Sequence, residues 1–159
     1  MVKWNGQKIL QQTITNRLIL SQRYKMDTML LVILEEKLEN GIILEGDEYN
    51  HTGIIIKYQK NGEIEWAKST GEDTEIELIQ STKDGGYLLS ISFSNTVSLE
   101  NGEAFQNTSS NDFLEVLLVK YQKNGEIEWA EQLRGLGDEY IKSIIESNDG
   151  GYLAEFKGN

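Results

Sequence analysis

The sequence has no cysteine, no proline and a single histidine, His51. Without cysteine there is neither a disulfide nor thiol chemistry, which is compatible with any compartment. One histidine and no cysteine leave the usual zinc sites, and Cys-His or Ser-His-Asp catalysis, poorly supplied. His51 lies in the polar stretch Glu48-Tyr49-Asn50-His51-Thr52 and is expected to be a solvent-exposed loop residue. No phosphate-binding loop occurs, and Gly135-Leu136-Gly137 lacks the third glycine of a dinucleotide motif. Long apolar runs are missing too. Met29 to Leu34 is six apolar residues, too short to span a bilayer, and reads as a buried strand.

Positive charge is scarce except at one end. Residues 1–25 carry Lys3, Lys8, Arg17, Arg23 and Lys25 with no acid, whereas the rest carries ten bases against 26 acids. An acidic body argues against a nucleic-acid partner, because phosphate binding needs a basic face. The basic segment is not a convincing signal peptide, since Gln11, Gln12, Thr13, Asn16 and Arg17 interrupt any apolar core. Trp4-Asn5-Gly6-Gln7-Lys8-Ile9 faintly echoes Gln59 to Glu65, so a degenerate half-repeat is favoured there. A basic amphipathic helix over Ile9 to Leu20 is the alternative.

What the chain does have is repetition. Lys57 to Ala67, KYQKNGEIEWA, recurs unchanged at Lys120 to Ala130, and Asp84-Gly85-Gly86-Tyr87-Leu88 returns as Asp149-Gly150-Gly151-Tyr152-Leu153. Repeats at this spacing decide architecture first. Ile54, Ile56 and Tyr58 alternate with Ile55 and Lys57, and Ile64 and Trp66 alternate with Glu63 and Glu65, which predicts strands with one apolar face. Asn61-Gly62 and Asn124-Gly125 predict hairpin turns with both residues at positive φ. A degenerate copy of the other hairpin runs from Val32 through Gly41 to Glu45. The unit is thus two hairpins, or four strands. Gly41 to Gly86 spans 45 residues and Gly86 to Gly151 spans 65, the difference lying largely in the polar stretch Ser94 to Asp112, read as a long loop. Without it the unit has the length of a four-stranded propeller blade. The boundaries follow as a basic segment 1–31, unit one at 32–75, unit two at 76–140 with loop 94–112, and an incomplete unit at 141–159.

Ile79 to Leu88, Ile56 to Trp66, Val119 to Trp129 and Ile144 to Leu153 resemble the tandem DGGYL and VKYxxNGxIxW repeats of bacterial, often clostridial, secreted or surface proteins. The resemblance implies an all-β, antiparallel, propeller-like fold. It also implies an extracellular or cell-surface location. Two units with half-units at the ends do not close a ring, so a longer chain, association of copies, or an open stack with exposed edges is expected.

No residue is assigned a catalytic, cofactor-binding or metal-binding role. The acidic clusters Asp47-Glu48, Glu72-Asp73 and Asp138-Glu139 lack calcium-loop spacing and read as turns. Glu63 with Glu65, and Glu126 with Glu128, are repeated and read as a solvated face, where a glycosidase pair would be unique. Trp66, Trp129, Tyr58 and Tyr121 are placed together on the apolar face as packing between units. The expected function is non-catalytic binding or scaffolding toward a protein or glycan, the loop 94–112 presenting the contact surface. A carbohydrate-active enzyme, with a non-repeated acid such as Asp112 or Asp138, is the alternative.

Overall fold

The computed structural model describes residues 2–4, 7–9, 18–23 and 29–34 as strand backbone, and 53–59, 61, 63–109, 113–134 and 139–158 in more detail. In chain order the strands are β1 (Val2–Trp4), β2 (Gln7–Ile9), β3 (Leu18–Arg23), β4 (Met29–Leu34), β5 (Gly53–Tyr58), β6 (Ile64–Ser69) and β7 (Thr74–Ser81). They continue as β8 (Tyr87–Phe93), β9 (Thr96–Ser98), β10 (Ala104–Gln106), β11 (Glu115–Tyr121), β12 (Ile127–Leu133), β13 (Glu139–Glu146) and β14 (Tyr152–Gly158). Every pairing is antiparallel, and among the described residues there is no helix. The expected all-β class and four-stranded units are therefore present. One sheet runs β3-β4-β5-β6, a second runs β7-β8-β11-β12, and β1-β2, β9-β10 and β13-β14 are hairpins. Ile9 and Leu18 to Leu20 lie in strands rather than in the alternative helix. The degenerate turn at Gly41 falls outside the described residues.

The hairpin turns share one geometry, and it corrects the sequence expectation. Gln122 N donates to Glu126 O at 2.8 Å and Gly125 N to Gln122 O at 3.0 Å, with Gly125 at φ 88°. Asn124 is not at positive φ, so this is the three-residue loop ending on a left-handed glycine and not the two-residue turn. Gly62 lies outside the described residues. Thr82–Gly86, Leu99–Glu103 and Ser147–Gly151 close in the same way. In each, an Asn or Asp side chain accepts from the amide two residues on. Asp84 takes Gly86 N at 2.9 Å, Asn101 takes Glu103 N at 3.1 Å, and Asn124 takes Glu126 N at 3.1 Å. Asn-Gly and Asp-Gly are thus interchangeable here because the side-chain oxygen and the glycine do the same two jobs.

The stretch Ser94 to Asp112 is not simply a loop. Its Asn101-Gly102 turn joins β9 to β10, and Val97 and Leu99 are buried. The Asn-Gly signal inside a polar, Asn-rich stretch was the clue.

The single apolar face expected of each unit is also corrected. β8 and β11 are buried along their whole length, on both faces. A bulge explains how. Lys57 pairs with Trp66 but Tyr58 pairs with Ile64, leaving Glu65 as the extra residue, and Glu128 is extra in the second copy. The bulge throws Ile64 and Trp66 onto opposite faces. Ile64 packs with Ile54, Ile56 and Tyr58, while Trp66 packs with Ile55 toward the second sheet. Ile127 and Trp129 are divided in the same way. Tyr58 and Tyr121 accordingly share a face with the isoleucine and not with the tryptophan.

The second sheet is sandwiched. Leu89, Ile91, Leu117, Val119 and Tyr121 meet Ile55 and Trp66 of the first sheet and Val97 and Leu99 of the small hairpin. On its other face Leu88, Val116 and Leu118 meet Ile141 and Ile144 of β13. Each unit therefore buries its apolar surface against the next, which makes stability a matter of nearest-neighbour contact. Gly53 marks a point of close approach between sheets, where an added Cβ would fall 2.7 Å from Ile76 Cγ1.

Candidate functional site

The repeated charged and aromatic residues sit at the joints between units. Lys57 and Lys120 are 1% and 2% exposed, although sequence pattern placed such positions toward water. Lys57 Nζ donates to Glu65 Oε1 at 2.8 Å and to the Lys123 carbonyl of the second sheet at 2.8 Å. It lies 5.9 Å from the Trp66 ring and 6.0 Å from that of Tyr87, close enough for a cation–π contribution. Trp66 and Tyr87 meet edge-on at 5.9 Å and 72°. The next joint repeats this, with Trp129 and Tyr152 at 5.9 Å and 56°. Lys120 Nζ there reaches Asp84 Oδ2 at 2.8 Å, Glu128 Oε2 at 3.2 Å and Tyr121 O at 3.1 Å. The bulged glutamates Glu65 and Glu128 thus neutralise buried ammonium groups, while Glu63 and Glu126 accept from the Asn61 and Asn124 amides of their own turns. A lone buried ammonium is costly, and these partners offset that cost.

Trp66 and Trp129 occupy equivalent, half-buried positions on edge strands. Both pack against the cores between units, as expected, but neither is fully buried. Trp66→Ala should lower stability by less than the about 3–5 kcal/mol of a fully packed tryptophan. Chemical denaturation measures this.

Burial pushes the Asp84 carboxyl up, but hydrogen bonds from Lys120, Thr82 and the Gly86 amide outweigh it and hold it at about 2, below 3.8. A depressed carboxyl stabilises the fold fully above its unfolded value and stops doing so as pH falls through the folded one. The Asp84 contribution is therefore expected to vanish between 3.8 and about 2. In Asp84→Asn, stability should fall less steeply across that interval, as read from melting curves at several pH values. Burial pushes Lys120 down, but hydrogen bonds from Asp84 and Glu128 outweigh it and raise it above 10.5, so its contribution persists through neutral pH.

A second polar cluster is not repeated. Glu115, 6% exposed, opens β11, where the first copy has Thr52. Its Oε1 accepts from Thr108 N at 3.0 Å and Thr108 Oγ1 at 3.2 Å, and its Oε2 accepts from Gln132 Nε2. Gln132 also donates to Gln106 O at 2.8 Å, and Arg134 donates to Gln132 Oε1 at 3.4 Å. Glu115 thereby ties the inserted hairpin to β12. Above this tie lies an open, shallow depression of about 520 Å³ lined by Ala104, Phe105, Gln106, Thr108, Glu131, Gln132 and Arg134. Lys68 of β6 pairs with Glu100 at 2.7 Å at the other end of the insert. The sequence reading missed Glu115. Its signal was a buried-strand acid where the other copy has threonine.

Glu72 and Asp73 lie in the turn between β6 and β7, with Asp73 at φ 53° and accepting from Asn95 Nδ2 at 2.9 Å. His51, Asp47, Glu48, Asp112 and Asp138 fall outside the described residues. Among the described residues no three acidic or histidine side chains converge closely enough to hold a metal ion, and no helix is long and apolar enough to cross a membrane.

Comparison with family models, with curated proteins and with solved structures gave no match. The stacked antiparallel repeat units and the non-repeated depression stand as the basis for a functional reading.

Proposed function

We propose that the chain is a non-catalytic repeat module that binds a protein or glycan, built from propeller-like blades and belonging to a bacterial surface or secreted protein. The observation that carries this is the division of labour among its polar residues. The repeated Trp and Tyr rings meet across the joints between sheets, and the repeated Lys ammonium groups are held by the bulged Glu side chains of their own hairpins. Gln132, Thr108, Arg134 and Glu131, which belong to no repeated motif, line the open depression. A shallow, polar, solvent-open surface with donors and acceptors suits recognition of hydroxyl or amide groups more than enclosure of a reaction. Glu115 beneath it accepts three hydrogen bonds and anchors the insert. The propeller reading is supported by the four-stranded meanders stacked face to face. The surface location is supported by the repeat resemblance alone.

Screening the chain against glycan and polysaccharide arrays, while following release of reducing ends, tests the reading. Binding weakened by Arg134→Ala, without turnover, is the expected result. Turnover abolished by changing one non-repeated acid would replace it with the carbohydrate-active alternative.

A further inference from the structure

Asparagine followed by glycine is prone to modify itself, because the glycine nitrogen is unhindered. The triad Asn-Gly-Glu stands at 101–103 and again at 124–126, and a third copy, Asn61-Gly62-Glu63, has its glycine outside the described residues. Within their turns the first two are alike. Asn101 Oδ1 accepts from Glu103 N at 3.1 Å and its Nδ2 donates to Glu103 Oε2 at 2.8 Å. Asn124 makes the same pair of bonds to Glu126, at 3.1 and 2.9 Å. Gly102 N donates to Leu99 O at 2.9 Å and Gly125 N to Gln122 O at 3.0 Å, with φ 89° and 88°. The surroundings differ. Gly125 is buried, and a Cβ there would lie 3.0 Å from the Trp66 ring. The neighbouring Lys123 carbonyl accepts from Lys57 Nζ at 2.8 Å and from Trp66 Nε1 at 3.4 Å, both of the first sheet. Gly102 is exposed, and a Cβ there would meet nothing within 4 Å. Its turn is tied outward by Glu100 to Lys68 at 2.7 Å, an ion pair open to water and therefore weak.

We infer that Asn101 is a site of spontaneous covalent modification, converting to aspartate and isoaspartate in the folded chain, while the fold shields Asn124 from the same reaction. The Gly102 nitrogen, its proton taken by hydroxide, attacks Asn101 Cγ. The new C–N bond closes a succinimide, the Cγ–Nδ2 bond breaks, and Nδ2 leaves as ammonia with a proton from water. A water molecule then opens the ring. Cleavage at Cγ gives aspartate, and cleavage at the backbone carbonyl gives isoaspartate, with the main chain one methylene longer. One water is consumed and one ammonia released, with no cofactor. Gly102 N must first leave Leu99 O, so local opening of the turn sets the rate. At Asn124 the same opening must also break the two bonds to the Lys123 carbonyl and move Gly125 against Trp66. The product alters the insert. Asp84 shows that an aspartate fits this turn, but there the residue two on is Gly86 and Lys120 supplies a cation. A carboxylate at 101 faces Glu103, and a donor–acceptor contact becomes repulsion at the tip of the hairpin that carries the buried Val97 and Leu99. Nothing in this depends on a ligand in the depression beside Glu115.

The test holds the full chain in warm, mildly alkaline buffer and maps its peptides over time by mass spectrometry, with fragmentation that separates isoaspartate from aspartate. Asn101 is expected to convert roughly tenfold or more faster than Asn124, the weight of the two extra hydrogen bonds on the Lys123 carbonyl. In denaturant the two should convert alike, because their triads are identical. Trp66→Ala should speed Asn124 and leave Asn101 unchanged, and Asn101 in that variant gauges any general loosening of the fold. Equal rates in the folded chain, or faster conversion at Asn124, overturn the inference. So does an unconverted Asn101 in the folded chain when the denatured chain has fully reacted, and so does a Trp66→Ala variant in which both sites speed up by the same factor.

Discussion

Gly86→Ala is expected to be among the most damaging single-methyl changes in the molecule, while Gly151→Ala should leave stability nearly unchanged. The two glycines occupy the same place in the same turn. At Gly86 a Cβ would sit 2.2 Å from a backbone oxygen, Tyr121 O, and 2.5 Å from Lys120 Nζ. The carbonyl belongs to β11, which is locked between β8 and β12, and cannot retreat without breaking the pairing at the centre of the sheet. Relief must come from separating β8 from β11 at Tyr87–Tyr121, which also pulls Lys120 off Asp84. Overpacking of this kind typically costs about 1–3 kcal/mol and more when backbone must move, so a loss at or beyond the upper end is expected. At Gly151 the same methyl meets only the flexible ends of Ser147 and Asp149. Thermal melting of the two alanine variants beside the parent checks the contrast, and equal shifts would contradict the β8–β11 geometry.

Val97→Asp should unfold the second sheet although it lies in a stretch rich in Asn and Ser. Val97 is 1% exposed and packs with Phe93, Leu99 and Tyr121 from the inner face of the inserted hairpin. Burying a valine contributes about 1.5–3 kcal/mol, and a carboxylate placed there would lose that and be stranded without a partner. Ser98, the next residue, is exposed. Ser98→Asp should change stability by no more than about 0.5 kcal/mol. Denaturant titration of this neighbouring pair separates an insert that belongs to the core from one that merely lies on it.

The fold class was legible because repetition and turn residues are local. Asn-Gly and Asp-Gly-Gly between apolar runs locate hairpins whatever the rest of the chain does. The faces were not legible. Strict alternation put Ile64 with Trp66, and one bulged residue, Glu65, reversed that assignment. Nothing in the identity of a glutamate announces that it will be the extra residue in a ladder. The burial of Lys57 and Lys120 was hidden for a related reason. A lysine in a strand reads as solvent-facing until its partners are known, and two of them, the Lys123 carbonyl and Asp84, come from a different sheet and a different hairpin. The depression beside Glu115 depends on Gln132, seventeen residues away, and only the fold brings the two together.

The identical hairpins have a consequence for how the chain reaches its native state. During folding, Lys57–Ala67 and Lys120–Ala130 present the same eleven side chains to any edge that accepts them. Their distances along the chain from β8 differ too little for closure entropy to choose between them, since that term grows only logarithmically. Discrimination falls to the flanks, Ile54-Ile55-Ile56 in one copy and Leu117-Leu118-Val119 in the other. It falls also to the inserted hairpin, whose Val97 and Leu99 pack with Leu117. Tethered between β8 and its proper neighbour, the insert adds contacts that only the native pairing makes, and refolding without it is expected to slow as mispaired chains unwind and try again.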